Sequence, residues 1–464
     1  MHSFKTGVLA RVATTLSLAL VNVAGAATQD VNAGSRMIGI NVALKQDVTP
    51  RILADIARFG KVRDVIRPID ALTLQARASS LVAIRALPYV AAANPDAVRN
   101  GSPVDGVAVE DFAQGISTWD LDAINVTDLN RGRVLSQTGA GVYVAVLDTG
   151  LLDSWRQYFP QQRIAEEYAR AFGGGGGEVG NVSSQPNKWM HDQNSHGTHV
   201  TSTVLGYSLR GTPVNGVAPH ATVIPVKVLG QQGWGWSSVI ARGIVYVADL
   251  KTGPLANAPV VINMSLGGSV LDAVEKAAID YAIGKGVVIV ASAGNEGEEG
   301  MGYPGAYAPV VSVAAAGWVR EWATDSTWWR TLDFPNPTQA EDLYITDFSS
   351  REQDGQDLDV AAPGSWVVGP YQLNSGKTSY FFLGGTSMAA PHVAGIAALM
   401  LQKNASLQQA DVESILESTA IPLSAGSRSI TDIDGSTVEV SWGDDASGSG
   451  FATANAALNA TPSP

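Results

Sequence analysis

Between residues 142 and 314 the chain alternates short apolar runs, rich in valine and isoleucine, with stretches of helical periodicity. The runs are Val142–Leu147, Thr222–Leu229, Val260–Met264, Val287–Ala291 and Val310–Ala314, and Ser237–Leu250 and Leu271–Lys285 carry the helical pattern between them. Runs that are mostly apolar, rather than apolar only at every second residue, suit strands buried on both faces. Parallel neighbours need a crossover long enough to hold a helix, so this order predicts an α/β fold: a doubly wound, mostly parallel sheet with helices on both faces. Such sheets gather their functional groups at the carboxyl ends of the strands.

Three places in this framework carry chemistry. Val142-Tyr143-Val144-Ala145-Val146-Leu147 ends in Asp148-Thr149-Gly150, which delivers a carboxylate at a strand end. His196-Gly197-Thr198-His199-Val200 is followed by small residues through Gly206, so a helix can begin at once after His196. Gly385-Thr386-Ser387-Met388-Ala389-Ala390-Pro391-His392 puts a serine after a glycine turn, at the start of a helix that is apolar all round and therefore central. A serine hydroxyl becomes a useful nucleophile when a base takes its proton and free helix N–H groups receive the developing charge. Asp, His, Ser is the chain order of one of the convergent triads, and the serine lies in Gly-x-Ser-x-Ala rather than G-x-S-x-G, against an α/β-hydrolase. His191, His196 and His199 invite a zinc reading, but there is no H-E-x-x-H and no glutamate base on the same helix. His220 and His392 are expected to be structural.

Together these three signatures resemble the subtilase family of subtilisin-type serine peptidases, over about Trp119 to Leu458. The resemblance implies a serine endopeptidase with Ser387 as nucleophile, His196 as base and Asp148 as the acid that orients it. Asn295, in Ser292-Ala293-Gly294-Asn295 after the fourth run, resembles the family's oxyanion-hole donor, joined by the Ser387 backbone N–H. Ser265, Leu266 and Gly267 resemble one edge on which a peptide substrate adds as a strand, and Gly233, Trp234 and Gly235 the other; Trp234 and Trp236 are bulky enough to narrow the groove. Gly302 resembles the base of the main specificity pocket, with Glu296, Glu298 and Glu299 expected in solvent nearby. No cofactor is required for this chemistry. Structural calcium is an expectation, with Asp153 roughly where one family ligand lies, but no metal-ligand set can be named. A silent binding protein on the same fold would lack a triad member, and none is missing. A peptidase trimming chain ends would need a blocked groove.

The rest of the chain suggests a precursor. Residues 1–26 read as a signal peptide, with Lys5 and Arg11, an apolar stretch from Val12 to Val23, and Ala24-Gly25-Ala26 as the cleavage site. Residues 28–111 read as a propeptide holding a small ferredoxin-like unit of order β-α-β-β-α-β: Met37–Leu44, Thr49–Phe59, Val62–Ile69, Ala71–Ala76, Ser79–Leu87 and Tyr89–Ala93. Residues 112–464 form the peptidase domain. Residues 94–117 are a polar linker, expected to be exposed and easily cut. A run of glycines, Gly173–Gly177, and residues 317–345 with Trp318, Trp322, Trp328 and Trp329 read as insertions, the second as a self-packed surface loop or as a substrate-rim or partner surface. The chain has no cysteine and a net charge of −13, with the acidic excess in the part from residue 112. That excludes thiolate chemistry and argues against nucleic acid. No later stretch suits a membrane anchor. The expectation is a secreted, extracellular bacterial monomer whose partners are protein or peptide substrates and its own propeptide, acting as an intramolecular inhibitor.

Overall fold

A computed structural model of the chain describes residues 33–109, 118–128, 132–173, 182–323, 334–372 and 379–464. The apolar runs lie side by side in a nine-stranded sheet. Tyr143–Asp148 sits inside it, paired in parallel with Thr222–Lys227 on one side and Val260–Met264 on the other. Val287–Ser292 and Val311–Trp318 continue outward in parallel, and Val360–Pro363 adds to the last of them. Antiparallel strands, Ser184–Gln185 and Leu343–Ile345, stand at the margins. The strand order reverses around Tyr143–Asp148, so a crevice opens at the carboxyl ends there.

Alternate residues of the central strand face two different cores. Val144 and Val146 pack with the helices His196–Leu205 and Thr386–Lys403, and Ala145 and Leu147 with Ser237–Thr252 and Ala273–Gly284. Every residue from Thr386 to Leu401 is buried, as its apolar circumference predicts. Val311–Trp318 runs past the expected end at Ala314, because it is paired on both sides beyond that point. Trp318 therefore lies in the core, at 1% exposure, and not in a surface loop. Trp322 packs edge-on against Trp366 and Phe382; Trp328 and Trp329 lie outside the described residues, as do residues 1–26, the boundary at 111 and all but the first of the five glycines.

The N-terminal unit has the expected element order. Its four strands run Gly60–Ile66, Ala71–Arg77, Met37–Leu44, Val90–Pro95 across an antiparallel sheet. Helices Pro50–Ile56 and Ser80–Arg85 connect them. The second strand stops at Ile66 rather than Ile69, where Pro68 sits in a 3-10 turn over Arg67–Ile69. The unit leans on the N-termini of two helices of the large domain. Asp96 accepts from the Ser238 N–H at 3.0 Å and from the Ser237 hydroxyl at 2.9 Å; Asn94 accepts from the Ala273 N–H at 3.0 Å. Burial pushes the Asp96 carboxyl up to about 6. The linker expectation needs correction here: its first half is docked, with Arg99 fully buried, because its backbone pairs with the large domain.

The central helix packs closely enough to be tested. A methyl on Gly395 would meet the Val217 Cβ at 2.6 Å. Helix propensity favours alanine by about 1 kcal/mol, whereas overpacking a tight contact costs about 1–3 kcal/mol, and a Cβ cannot rotate away. Gly395→Ala is therefore expected to lower the unfolding midpoint, measured in urea on the Ser387→Ala background to prevent self-digestion.

Candidate active site

One strand end and the starts of two helices meet in the crevice. Asp148 is the last residue of its strand, His196 the first of its helix and Ser387 the second of the central helix. All three are buried. His196 Nδ1 lies 2.9 Å from both carboxylate oxygens of Asp148. The Thr149 N–H donates to Asp148 Oδ1 at 2.6 Å. The Thr149 hydroxyl donates to Asp192 at 2.9 Å and accepts from the Gly197 N–H at 2.9 Å, and Asp192 also accepts from the N–H groups of Asn194 and Ser195. The strand end and the helix start are thereby pinned together. Burial pushes the Asp192 carboxyl up, against the pull of Lys227. Gly197 allows the close approach: a Cβ there would lie 2.4 Å from the Gly150 carbonyl oxygen.

With Nδ1–H directed at Asp148, the other ring nitrogen of His196 keeps its lone pair, and this Nε2 is buried without a partner. The Ser387 hydroxyl donates instead to the Ser265 carbonyl at 3.2 Å. His196 Nε2 and the Ser387 hydroxyl are thus not hydrogen-bonded to each other, and such bonds commonly tighten only in the reacting complex. The serine backbone is fixed from another direction. Pro391 has no N–H to give to the carbonyl four residues back, which is that of Ser387. The Ser265 hydroxyl fills that place at 2.8 Å and accepts from Asn263 Nδ2 at 3.0 Å. Asn295 uses its side-chain oxygen to accept from the Thr386 N–H and hydroxyl, at 2.9 and 2.8 Å. Its amide nitrogen is left on the crevice side, where a Cβ on Gly385 would lie 3.7 Å from it. The Ser387 N–H belongs to the first turn, which a helix cannot bond internally.

The crevice is occupied by the chain's own residues 98–108. Val98–Asn100 pairs antiparallel with Trp234–Trp236. On its other edge, Asn100 exchanges two backbone bonds with Gly267, at 2.8 and 2.9 Å, and the Gly101 N–H donates to the Gly233 carbonyl at 2.8 Å. A Cβ on Gly101 would lie 3.5 Å from His196 Cε1. Past the serine, the Val104 N–H donates to the Gly384 carbonyl at 2.8 Å, and Asp105–Ala108 pairs antiparallel with Tyr380–Gly384. Of the expected edge residues, Gly233, Trp234, Gly235 and Gly267 carry this strand, Ser265 touches Ser387, and Leu266 is buried in the core. Trp234 is 38% exposed and meets Trp236 edge-on.

Gly302 donates its N–H to the Ala293 carbonyl and lines up beside the Gly267–Gly268 edge, where its Cβ would come within 3.3 Å of the Gly268 nitrogen. Glu296, Glu298 and Glu299 are all exposed, and Glu296 also accepts from the Asn295 N–H. The three clustered histidines diverge. His191 is exposed; His199 is buried, its imidazolium form disfavoured to a pKa of about 3 first by burial and then by His196, and its Nε2–H donates to the Val367 carbonyl. His392 bonds the Met388 carbonyl and Asp120, and His220 lies at the surface. Asp153 is exposed, and among the described residues no three His, Asp or Glu side chains are grouped to hold a metal.

Sequence pattern did not flag Thr386, Asp192, Asn263 or Glu275. Glu275 left a signal: it shares a helical stripe with Ala278, Ile279 and Ala282, where a carboxylate is out of place.

The subtilase family profile matches residues 139–457. A subtilisin of Bacillus sp. (strain TA39) is 35% identical over 338 residues, which cover 72% of this chain and 71% of that protein. Thermitase of Thermoactinomyces vulgaris is 32% identical over 286 residues, covering 62% of this chain and 83% of its own. Among solved structures, fervidolysin from Fervidobacterium pennivorans shares the fold with a TM-score of 0.64 at 22% identity, covering 93% of this chain, which spans 62% of that one. Sphericase matches with a TM-score of 0.51 at 31% identity, covering 72% of this chain and 97% of its own. By sequence and by fold, the chain belongs to the subtilase family and is a subtilisin-like serine endopeptidase.

Proposed function

We propose that this subtilase works through Asp148, His196 and Ser387 and cuts itself from a secreted precursor. The observation that carries the reading is the strand of its own chain lying across Ser387, with backbone pairing on both sides. A substrate bound in the same way presents an internal peptide bond to the serine, which suits an endopeptidase. Ser387 Oγ attacks the carbonyl carbon while His196 Nε2 takes its proton. Asp148 holds the imidazole in the Nδ1–H tautomer and stabilises the imidazolium. The oxyanion is received by Asn295 Nδ2 and the Ser387 N–H. His196 then protonates the leaving amine, and water reverses the sequence on the acyl-enzyme. The leader-like residues 1–26 support export, and among the described residues no helix is long and apolar enough to cross a membrane.

Ser387→Ala, His196→Ala and Asp148→Asn are each expected to lower turnover by about 10⁴-fold or more, the scale known for such triads and for a subtilisin in particular, with double variants little worse than single ones. His191→Ala and His199→Ala should keep far more activity. For Asn295→Ala the loss known for a subtilisin's side-chain donor, roughly 10²–10³ in turnover, sets the expectation. Casein hydrolysis measures all of these, and full activity in Ser387→Ala would end the reading.

Gly302 leaves room for a large side chain before the scissile bond, such as Phe, Tyr, Leu or Met. Gly302→Val should shift the preference toward small residues in a peptide series varied at that position. An unchanged profile would put the pocket elsewhere.

The third expectation concerns maturation. The tethered strand makes the first cut intramolecular, so its rate should not depend on enzyme concentration. Wild-type enzyme should begin between about residues 94 and 119, and Ser387→Ala should persist as a precursor that begins near Thr28. N-terminal sequencing of both proteins decides it: active wild type beginning at Thr28, or a Ser387→Ala protein trimmed to the same site without added protease, refutes self-processing.

A further inference from the structure

The backbone pairing that threads residues 98–108 through the crevice sets a register. Asn100 is locked to Gly267, Gly101 to Gly233 and Val104 to Gly384, so the peptide passing Ser387 joins Ser102 to Pro103. Counting back from that bond, Arg99 is the fourth residue. Its side chain is fully buried, and so is Glu275 beneath it. Arg99 Nε lies 3.1 Å from both Glu275 carboxylate oxygens, and Nη2 also bonds Oε2. Nη2 donates to the Val270 carbonyl at 2.9 Å, and Nη1 to the Val98 carbonyl at 3.0 Å. Arg99 supplies every side-chain hydrogen bond that the Glu275 carboxylate receives among the described residues. Gly268 makes the passage possible: a Cβ there would lie 2.3 Å from the Val98 oxygen and 3.0 Å from Arg99 Nη1.

We infer that this endopeptidase selects arginine at the fourth residue before the bond it cuts, with Glu275 as the specificity-determining residue. The inference rests on the reading of residues 98–101 as lying in substrate register. Glu275 is part of the large domain's helix Ala273–Gly284, whereas its partner belongs to the segment that leaves on processing. Once that segment is gone, the site holds a carboxylate in an apolar helix stripe with no other cation bonded to it among the described residues. A neutral side chain entering there would strip water from Glu275 and give nothing back, which is the costly half of a buried ion pair. An acidic side chain would meet like charge from Glu275 and, farther off, from Asp272. Lysine brings the charge but not the planar fork that meets both carboxylate oxygens.

The test uses the mature wild-type enzyme and quenched peptides identical except at the fourth position before the cut, with Arg, Lys, Leu, Ala or Glu there. Denatured casein is assayed in parallel. Arginine should exceed leucine and alanine in kcat/KM on the order of 100-fold, with lysine between and glutamate slowest. Glu275→Leu combined with Arg99→Leu, which replaces the pair by apolar groups and so keeps the precursor packed, should reverse the order of Arg and Leu while casein is still cut. If Arg99 serves only to fasten the N-terminal unit, the wild-type profile will be flat; casein cleavage with kcat/KM equal for Arg and Leu overturns the inference alone. No cleavage of casein or of any peptide overturns the underlying reading, and the inference with it.

Discussion

A missing hydrogen bond organises the crevice. Pro391 stands four residues after Ser387, so the helix cannot satisfy the Ser387 carbonyl itself. The donor comes from Ser265, just past the end of the strand Val260–Met264, and that same residue's carbonyl accepts the Ser387 hydroxyl. One residue at a strand end therefore holds both the backbone and the side chain of the serine. A buried carbonyl left without a donor would cost about 1–3 kcal/mol, so the helix start and the strand end are coupled through the need to satisfy it. Asn263, Thr386 and Asn295 extend the coupling: Asn263 gives its amide nitrogen, Thr386 its N–H and hydroxyl, and Asn295 its side-chain oxygen, keeping its amide nitrogen for the crevice.

Much of this was readable beforehand, for definite reasons. Predominantly apolar runs, without strict alternation, predict buried parallel strands, and all five runs became neighbours in one sheet. The error at the end of the fifth run has a non-local cause. Val311–Trp318 outlasts its prediction because its neighbours, Leu343–Ile345 and Val360–Pro363, are far away in sequence, and periodicity sees only what is nearby. The linker misled because polarity was read as exposure. Its polar side chains are satisfied by helix N-termini, as Asn94 and Asp96 are, or by one buried carboxylate, as Arg99 is. Motifs announced Asp148, His196 and Ser387, since each stands in an unusual local setting. Asp192, Asn263 and Thr386 stand in ordinary settings, and their roles come from partners that only the fold supplies.

The interface between the N-terminal unit and the large domain combines an apolar contact, where Ile66 and Ala71 join the core under the helices Ser237–Thr252 and Ala273–Gly284, with a polar and charged network. Asn41 reaches Asp96, Ser237 and Asp272 at once, and Arg242 pairs with Asp64. Asp96 and Asp272 both approach the Ser237 hydroxyl, which places two acids close together in a buried setting. Contacts of this kind are directional, and they fix the register of the strand that follows, which sets the residue that arrives beside each edge glycine.

The two halves of that strand differ in one respect. Val98–Asn100 is continuous with the N-terminal unit, whereas Asp105–Ala108 is continuous with the large domain and lies on Tyr380–Gly384. After a break between them, the first half is held by an ordinary association between separate molecules, and dilution removes it. The second half remains a covalent part of the enzyme, at a local concentration that no dilution changes. Such a break would let mass action empty one side of the groove. The other side is open to substrate only in proportion to how often its own chain end lifts away.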